Sequence, residues 1–143
     1  MTQVFFYHNA ENRLAEACTL LAKAYAAKKP MLVLAPGETG MMVDRLLWTR
    51  TAQGFVPHCA VDAPLAGETP ILLTSSLNLP PPYPIERLMN LGLEIPAGYT
   101  DYPSLIEVVG RDETDRAAAR ARVHQYKTAG CEIRYFDLGK TQD

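Results

Sequence analysis

A three-layer α/β domain, with a mostly parallel sheet and helices on both faces, is the fold class this chain predicts. Three observations predict it. Short β-branched and aromatic runs, Val4-Phe5-Phe6-Tyr7 and Met31-Leu32-Val33-Leu34 among them, alternate with stretches of helical periodicity. These runs are apolar throughout instead of alternating, as strands buried on both faces of a parallel sheet require. Finally, 143 residues, 48% of them hydrophobic, suffice for one domain over 1–143 with a sizeable core.

Val4 to Tyr7 reads as the first strand, and Asn9 as the cap of the helix after it. Leu14, Ala17, Cys18, Leu21, Ala24 and Tyr25 recur at spacings of three and four. They mark one helix face that ends near Lys28-Lys29, before Pro30. Met31 to Leu34 is the second strand and completes a strand–helix–strand unit of roughly thirty residues with a right-handed crossover.

The turn A35-P-G-E-T-G40 leads into a second helix, with Thr39 as its cap and Met42, Val43, Leu46 and Leu47 as its inward stripe. Trp48 falls about 100° from Leu47 and about 200° from Leu46 on the helical wheel, so it leans toward solvent beside Met41, Asp44 and Arg45. After the turn F55-V-P-H58, where His58 reads as a hydrogen-bonded turn residue, Ala60-Val61 is a short strand and Ile71 to Thr74 a stronger one. S75-S-L-N-L-P-P-P-Y-P84 holds too much proline for a helix and reads as a surface loop. Arg87 to Leu91 and Leu105 to Val109 are further strands. Asp112 caps the last helix, Glu113 and Asp115 complement its dipole, and Gly130 ends it near Ala129. Cys131 to Leu138 closes the sheet.

The same residues limit the function. A net charge of −2 gives no basic signature for direct nucleic-acid binding. The start M-T-Q-V-F-F-Y-H-N-A lacks a cationic segment followed by an apolar run, and no stretch is long enough to span a bilayer. Cys18, Cys59 and Cys131 are odd in number and far apart, which suits reduced thiols in a cytoplasmic protein. His8, His58 and His124 have no metal-ligand spacing, and no sequence neighbour of Cys59 makes it a nucleophile. No metal, cofactor or catalytic site is expected. The alternative is a small nucleotide-binding enzyme using the Gly37–Gly40 turn, although that turn lacks both G-x-G-x-x-G and a following G-K-[ST].

The last helix carries the strongest local signal. At 100° per residue, Arg116, Arg120, Val123, His124 and Lys127 share an arc about 100° wide. Ala117, Ala118, Ala121 and Ala129 cover much of the remaining circumference, which predicts a small-residue back against the sheet and a charged arc outward. The acidic residues of this helix cluster in its first turn, leaving the arc without a neutralising partner along its length. An apolar spot inside a positive stripe suits an acidic peptide that ends in a hydrophobic side chain and a carboxylate.

L47-W-T-R-T-A-Q-G-F-V-P-H58 resembles the L-W-x-x-x-x-x-x-F-x-P-H signature of the chi subunits of bacterial DNA polymerase III. F5-F-Y7 and M31-L-V-L34 are similar to that family's first two strands, and A119-R-A-R-V-H-Q-Y-K-T-A-G130 to its A-R-x-R-x-x-x-Y-[KR]-x-x-G stretch. The blocks run in order over essentially the whole chain. The resemblance implies a Rossmann-like fold without a nucleotide site, and a non-enzymatic accessory subunit of the clamp-loader complex at the replication fork. It implies pairing with the psi subunit, and a grip on the acidic, phenylalanine-ended C-terminal tail of single-stranded DNA-binding protein. By carry-over, Trp48, Phe55 and Pro57 lie on the surface offered to psi or to a competing helicase-like protein. Val109, Arg116 and Arg120 match the tail pocket. Val123 and His124 stand where better-known members carry a tyrosine and a lysine.

Overall fold

A computed structural model describes residues 2–49 and 56–140. In chain order the elements are β1 (Gln3–Ala10), α1 (Arg13–Ala26), β2 (Met31–Leu34), α2 (Glu38–Thr49), β3 (His58–Ala60), β4 (Ile71–Thr74), β5 (Arg87–Asn90), β6 (Ser104–Gly110), α3 (Glu113–Thr128) and β7 (Glu132–Asp137). Short 3-10 turns occupy Ala66–Glu68, Tyr99–Asp101 and Leu138–Lys140. The seven strands form one sheet in the order β3-β4-β2-β5-β6-β1-β7. Every pairing in it is parallel. The predicted three-layer α/β class is the one observed.

The apolar strand runs do what buried parallel strands must. Val4, Leu32, Leu72, Leu88 and Leu105 are fully covered on one face, as are Met31, Val33, Ile71, Met89 and Val108 on the other. On the second of these faces lie α1 and α2. Ala17, Cys18, Leu21 and Ala24 of α1, with Val43 and Leu47 of α2, pack against those strand residues. Full burial of one such leucine is worth about 1.5–3 kcal/mol.

Among the described residues the opposite face has a single α-helix. Ala119 and Tyr126 of α3 sit over β6 and β1, and the rest is roofed by connections. Partly buried Leu77 and Tyr83, from the proline-rich segment expected as a surface loop, and Ile85 just after it pack into this core beside Val61 and Ala66. The Tyr83 hydroxyl donates to the Thr69 carbonyl at 2.6 Å. The segment has no helix or strand, as expected, but it covers sheet where a second helix would otherwise stand.

Several local expectations are corrected. Asn12, not Asn9, caps α1, its side chain accepting from the Ala15 N–H at 3.1 Å. β1 runs on to Ala10, which places Asn9 in an irregular strand end with φ of 64°. Helix α2 begins at Glu38, so Thr39 is inside it, and Met42 is 49% exposed while Val43 and Leu47, with partly buried Leu46, form the inward stripe. Strand β3 is shifted to His58–Ala60. On α3 the small-residue back is absent: Ala117, Ala121 and Ala129 face solvent, and the buried positions are Asp115, Ala119, Arg122 and Tyr126.

Candidate functional site

The inward face of α3 is polar because β6 buries an acid. Glu107 stands mid-strand with no exposed surface. Arg122 Nε donates to Glu107 Oε2 at 3.2 Å and its Nη2 to Oε1 at 3.0 Å. The Tyr126 hydroxyl donates to Oε2 at 2.6 Å, and Asn90 Nδ2 donates to the same oxygen at 3.0 Å. Arg122 Nη1 reaches the Leu93 carbonyl at 2.8 Å. A charge in a low-dielectric interior is tolerable only when paired and hydrogen-bonded in this way. Burial, then the neighbouring carboxylate, pushes the Tyr126 phenol far above its ordinary value.

At the start of α3, Asp112 caps the helix by accepting from the Asp115 N–H at 3.2 Å. Asp115 in turn accepts from the Gly110 N–H at 2.9 Å and lies 3.7 Å from Arg13 Nε, which donates to the Val108 carbonyl at 2.8 Å. Burial pulls the Arg13 guanidinium below its ordinary value, against the opposing pull of Asp115. These contacts fix the rotation of α3. Sequence reading missed them, although an acid inside L-I-E-V-V and an arginine–tyrosine pair four residues apart on α3 were signals that charge had to be matched inside.

With that rotation set, α3, the end of β6 and the β1–β7 edge enclose an open cleft of ≈ 540 Å³. Helix α3 contributes Arg116, Ala119, Arg120 and Val123; β6 contributes Val109 and Gly110; β1 contributes Phe6, His8 and Asn9; and β7 contributes Tyr135 and Asp137. Four of the predicted site residues, Val109, Arg116, Arg120 and Val123, therefore meet. His124 and Lys127 are exposed on the same helix but do not line the cleft.

The aromatic wall comes from strands. Tyr135, half exposed, stands edge-on to Phe6 at 5.7 Å and to His8 at 6.4 Å. No pattern local to α3 could have pointed to it. At the far end Asn9 Nδ2 donates to Asp137 Oδ1 at 3.1 Å while Arg111 Nε donates to Asn9 Oδ1 at 2.9 Å. The acid in the cleft is thus tied into a network with Asn9 and Arg111. Contrary to the sequence expectation, the arc is partly neutralised: Arg120 Nη2 donates to Glu113 Oε2 at 2.8 Å. That hydrogen bond and charge, with a smaller part from Arg116, hold the Glu113 carboxyl below its usual range.

The other predicted surface lies on α2. Trp48 is 57% exposed, as its wheel position implied, with its ring edge-on to His58 at 5.3 Å. His58 is the hydrogen-bonded residue expected, with Nδ1 2.7 Å from the Val56 carbonyl and Nε2 3.0 Å from Asp44 Oδ1. Pro57 is half-buried beside it. Phe55 lies outside the described residues.

The A-P-G-E-T-G turn borders a second cleft, of ≈ 670 Å³, between the carboxyl ends of β2, β4 and β5. Arg13 is the cation among its lining residues, and its guanidinium is engaged by the Val108 and Gly92 carbonyls. Gly40 is required by packing: a β-carbon there would stand 2.7 Å from the Ala35 carbonyl oxygen.

The fold and first cleft together define a three-layer α/β domain that presents guanidinium groups over an apolar, aromatic-walled groove. The chain belongs to the DNA polymerase III chi subunit family, HolC, whose model matches residues 1–134. It is 29% identical over 135 residues to DNA polymerase III subunit chi of Pseudomonas aeruginosa, covering 91% of this chain and 92% of that protein. To the subunit chi of Haemophilus influenzae it is 28% identical over 126 residues, 86% of this chain and 85% of that protein. No helix among the described residues is long and apolar enough to cross a membrane.

Proposed function

We propose that this chain is a non-catalytic, cytoplasmic accessory subunit of the clamp-loader complex, linking it to single-stranded DNA-binding protein by docking that protein's acidic C-terminal tail. The observation that carries the reading is the cleft between α3 and the β1–β7 edge. Two arginines at its rim suit carboxylates. Val109, Val123, Phe6 and Tyr135 offer a terminal phenylalanine an apolar seat. Tyr135 supplies the aromatic contact that Val123 does not. A second face, centred on Trp48, Phe55 and Pro57, serves the psi subunit or a competing helicase-like protein.

Titration with a labelled peptide that carries several acidic residues and ends in phenylalanine tests the first claim. Wild type should bind, more weakly as salt rises. Arg120→Ala should cost on the order of 1.5–3 kcal/mol of binding. Binding indifferent to that change would remove the cleft from the proposal. For the second face, co-expressed psi should be retained by wild type and lost from Trp48→Ala. A complex that survives in the folded variant would reassign the interface.

A further inference from the structure

The cleft's principal cation is already holding a carboxylate. Glu113, in the first turn of α3, lies seven residues before Arg120, an axial separation of about 10 Å on nearly the same side of the helix. Only extended glutamate and arginine side chains can bridge that gap, and here they do, Glu113 Oε2 accepting from Arg120 Nη2 at 2.8 Å. Nη2 belongs to both edges through which a guanidinium takes a carboxylate as a fork. A carboxylate on one of its N–H groups therefore occupies one of those two edges, competes with a ligand for that fork and offsets part of the charge that draws an acidic ligand in. Both partners are largely exposed, 61% and 72% of their side chains, so the bridge is weak enough to be displaced.

We propose that Glu113 is a specificity-determining residue, an internal competitor for the carboxylate site of Arg120. A ligand with one carboxylate gains little by displacing another. A ligand that brings several acids engages Arg116 as well, and its apolar end fills the groove beside Val109 and Tyr135. The competitor thus favours polyacidic, hydrophobic-ended peptides over isolated anions. This inference rests on the cleft being the acidic-tail site.

Two substitutions separate competition from simple repulsion. Glu113→Gln removes the charge. Glu113→Asp keeps the charge, and keeps an acid in the first turn, but is one methylene too short for the bridge. Anisotropy titrations with the phenylalanine-ended acidic peptide at low salt should show both variants binding about two- to five-fold tighter than wild type, the span set by an exposed ion pair. The gain should shrink at raised salt. Tightening by Glu113→Gln alone, with Glu113→Asp like wild type, would overturn competition in favour of general repulsion. Equal affinity of all three proteins would overturn it as well. If none of them binds the peptide, the tail-site reading falls first and this inference with it.

Discussion

Arg120 and Arg122 stand two residues apart on one helix and meet opposite environments. Each holds a glutamate. Arg122 is 3% exposed and its Glu107 partner has no exposed surface, whereas the Arg120–Glu113 pair is 61% and 72% exposed. The inner pair has further hydrogen-bond partners, Tyr126, Asn90 and the Leu93 carbonyl, so its removal leaves buried groups unmatched. The outer pair has water as an alternative, so exchanging it costs little. The same chemistry therefore anchors the helix on one side and remains exchangeable for a ligand on the other. Burial makes the difference.

The most severe way to break this comparison is Arg122→Ala. It leaves Glu107 buried without its counter-charge and should lower stability by about 3–5 kcal/mol, read as a shifted urea midpoint. A loss below about 1 kcal/mol would show that the two pairs are equivalent after all.

Tyr126→Phe tests the inner network more gently. It removes one hydrogen bond to a charged group, for an expected cost of about 1.5–3 kcal/mol. The sign of its pH dependence is fixed by the raised phenol. Below pH 10.0, the ordinary tyrosine value, both folded and unfolded states hold the proton and the stabilisation is complete. Above it the unfolded chain releases the proton while the folded one retains it, so stability falls by about 1.4 kcal/mol per pH unit for each such tyrosine. Tyr83, Tyr99 and Tyr102 are raised in the same direction, chiefly by burial. Urea titrations from pH 9 to 11 should give a steep decline in wild type and a shallower one in Tyr126→Phe. Identical slopes would mean that this phenol is not insulated.

The smallest expected effect sharpens the contrast. Arg120→Ala should change stability by less than about 0.5 kcal/mol while weakening the acidic peptide. A variant that loses both together would return Arg120 to the structural side of the helix.

Much of the architecture was readable in advance. Apolar runs separated by periodic stretches gave away parallel strands and crossover helices, because strands buried on both faces have no polar side to show. Trp48 turned out on the solvent side because its wheel position depends only on helix geometry. Asn9 is not the cap because a capping residue is recognised by where the strand before it stops, and the pairing of Ala10 with Gly110 of β6 carries β1 past that point. Half of the cleft was visible as the Arg116, Arg120 and Val123 stripe with Val109. Tyr135, Phe6 and Asp137 were not, since they reach the cleft from strands adjacent only in the folded sheet.

Sequence by itself determined the class of fold, the order of its elements and the positive stripe on α3, since local periodicity and chain order are written residue by residue. Only tertiary structure decided which way that helix turned. The alanines are small enough to face the sheet, but a buried glutamate on β6 requires an arginine and a tyrosine opposite it. An unpaired interior charge costs more than the burial of a few methyl groups returns, so the charge set the rotation.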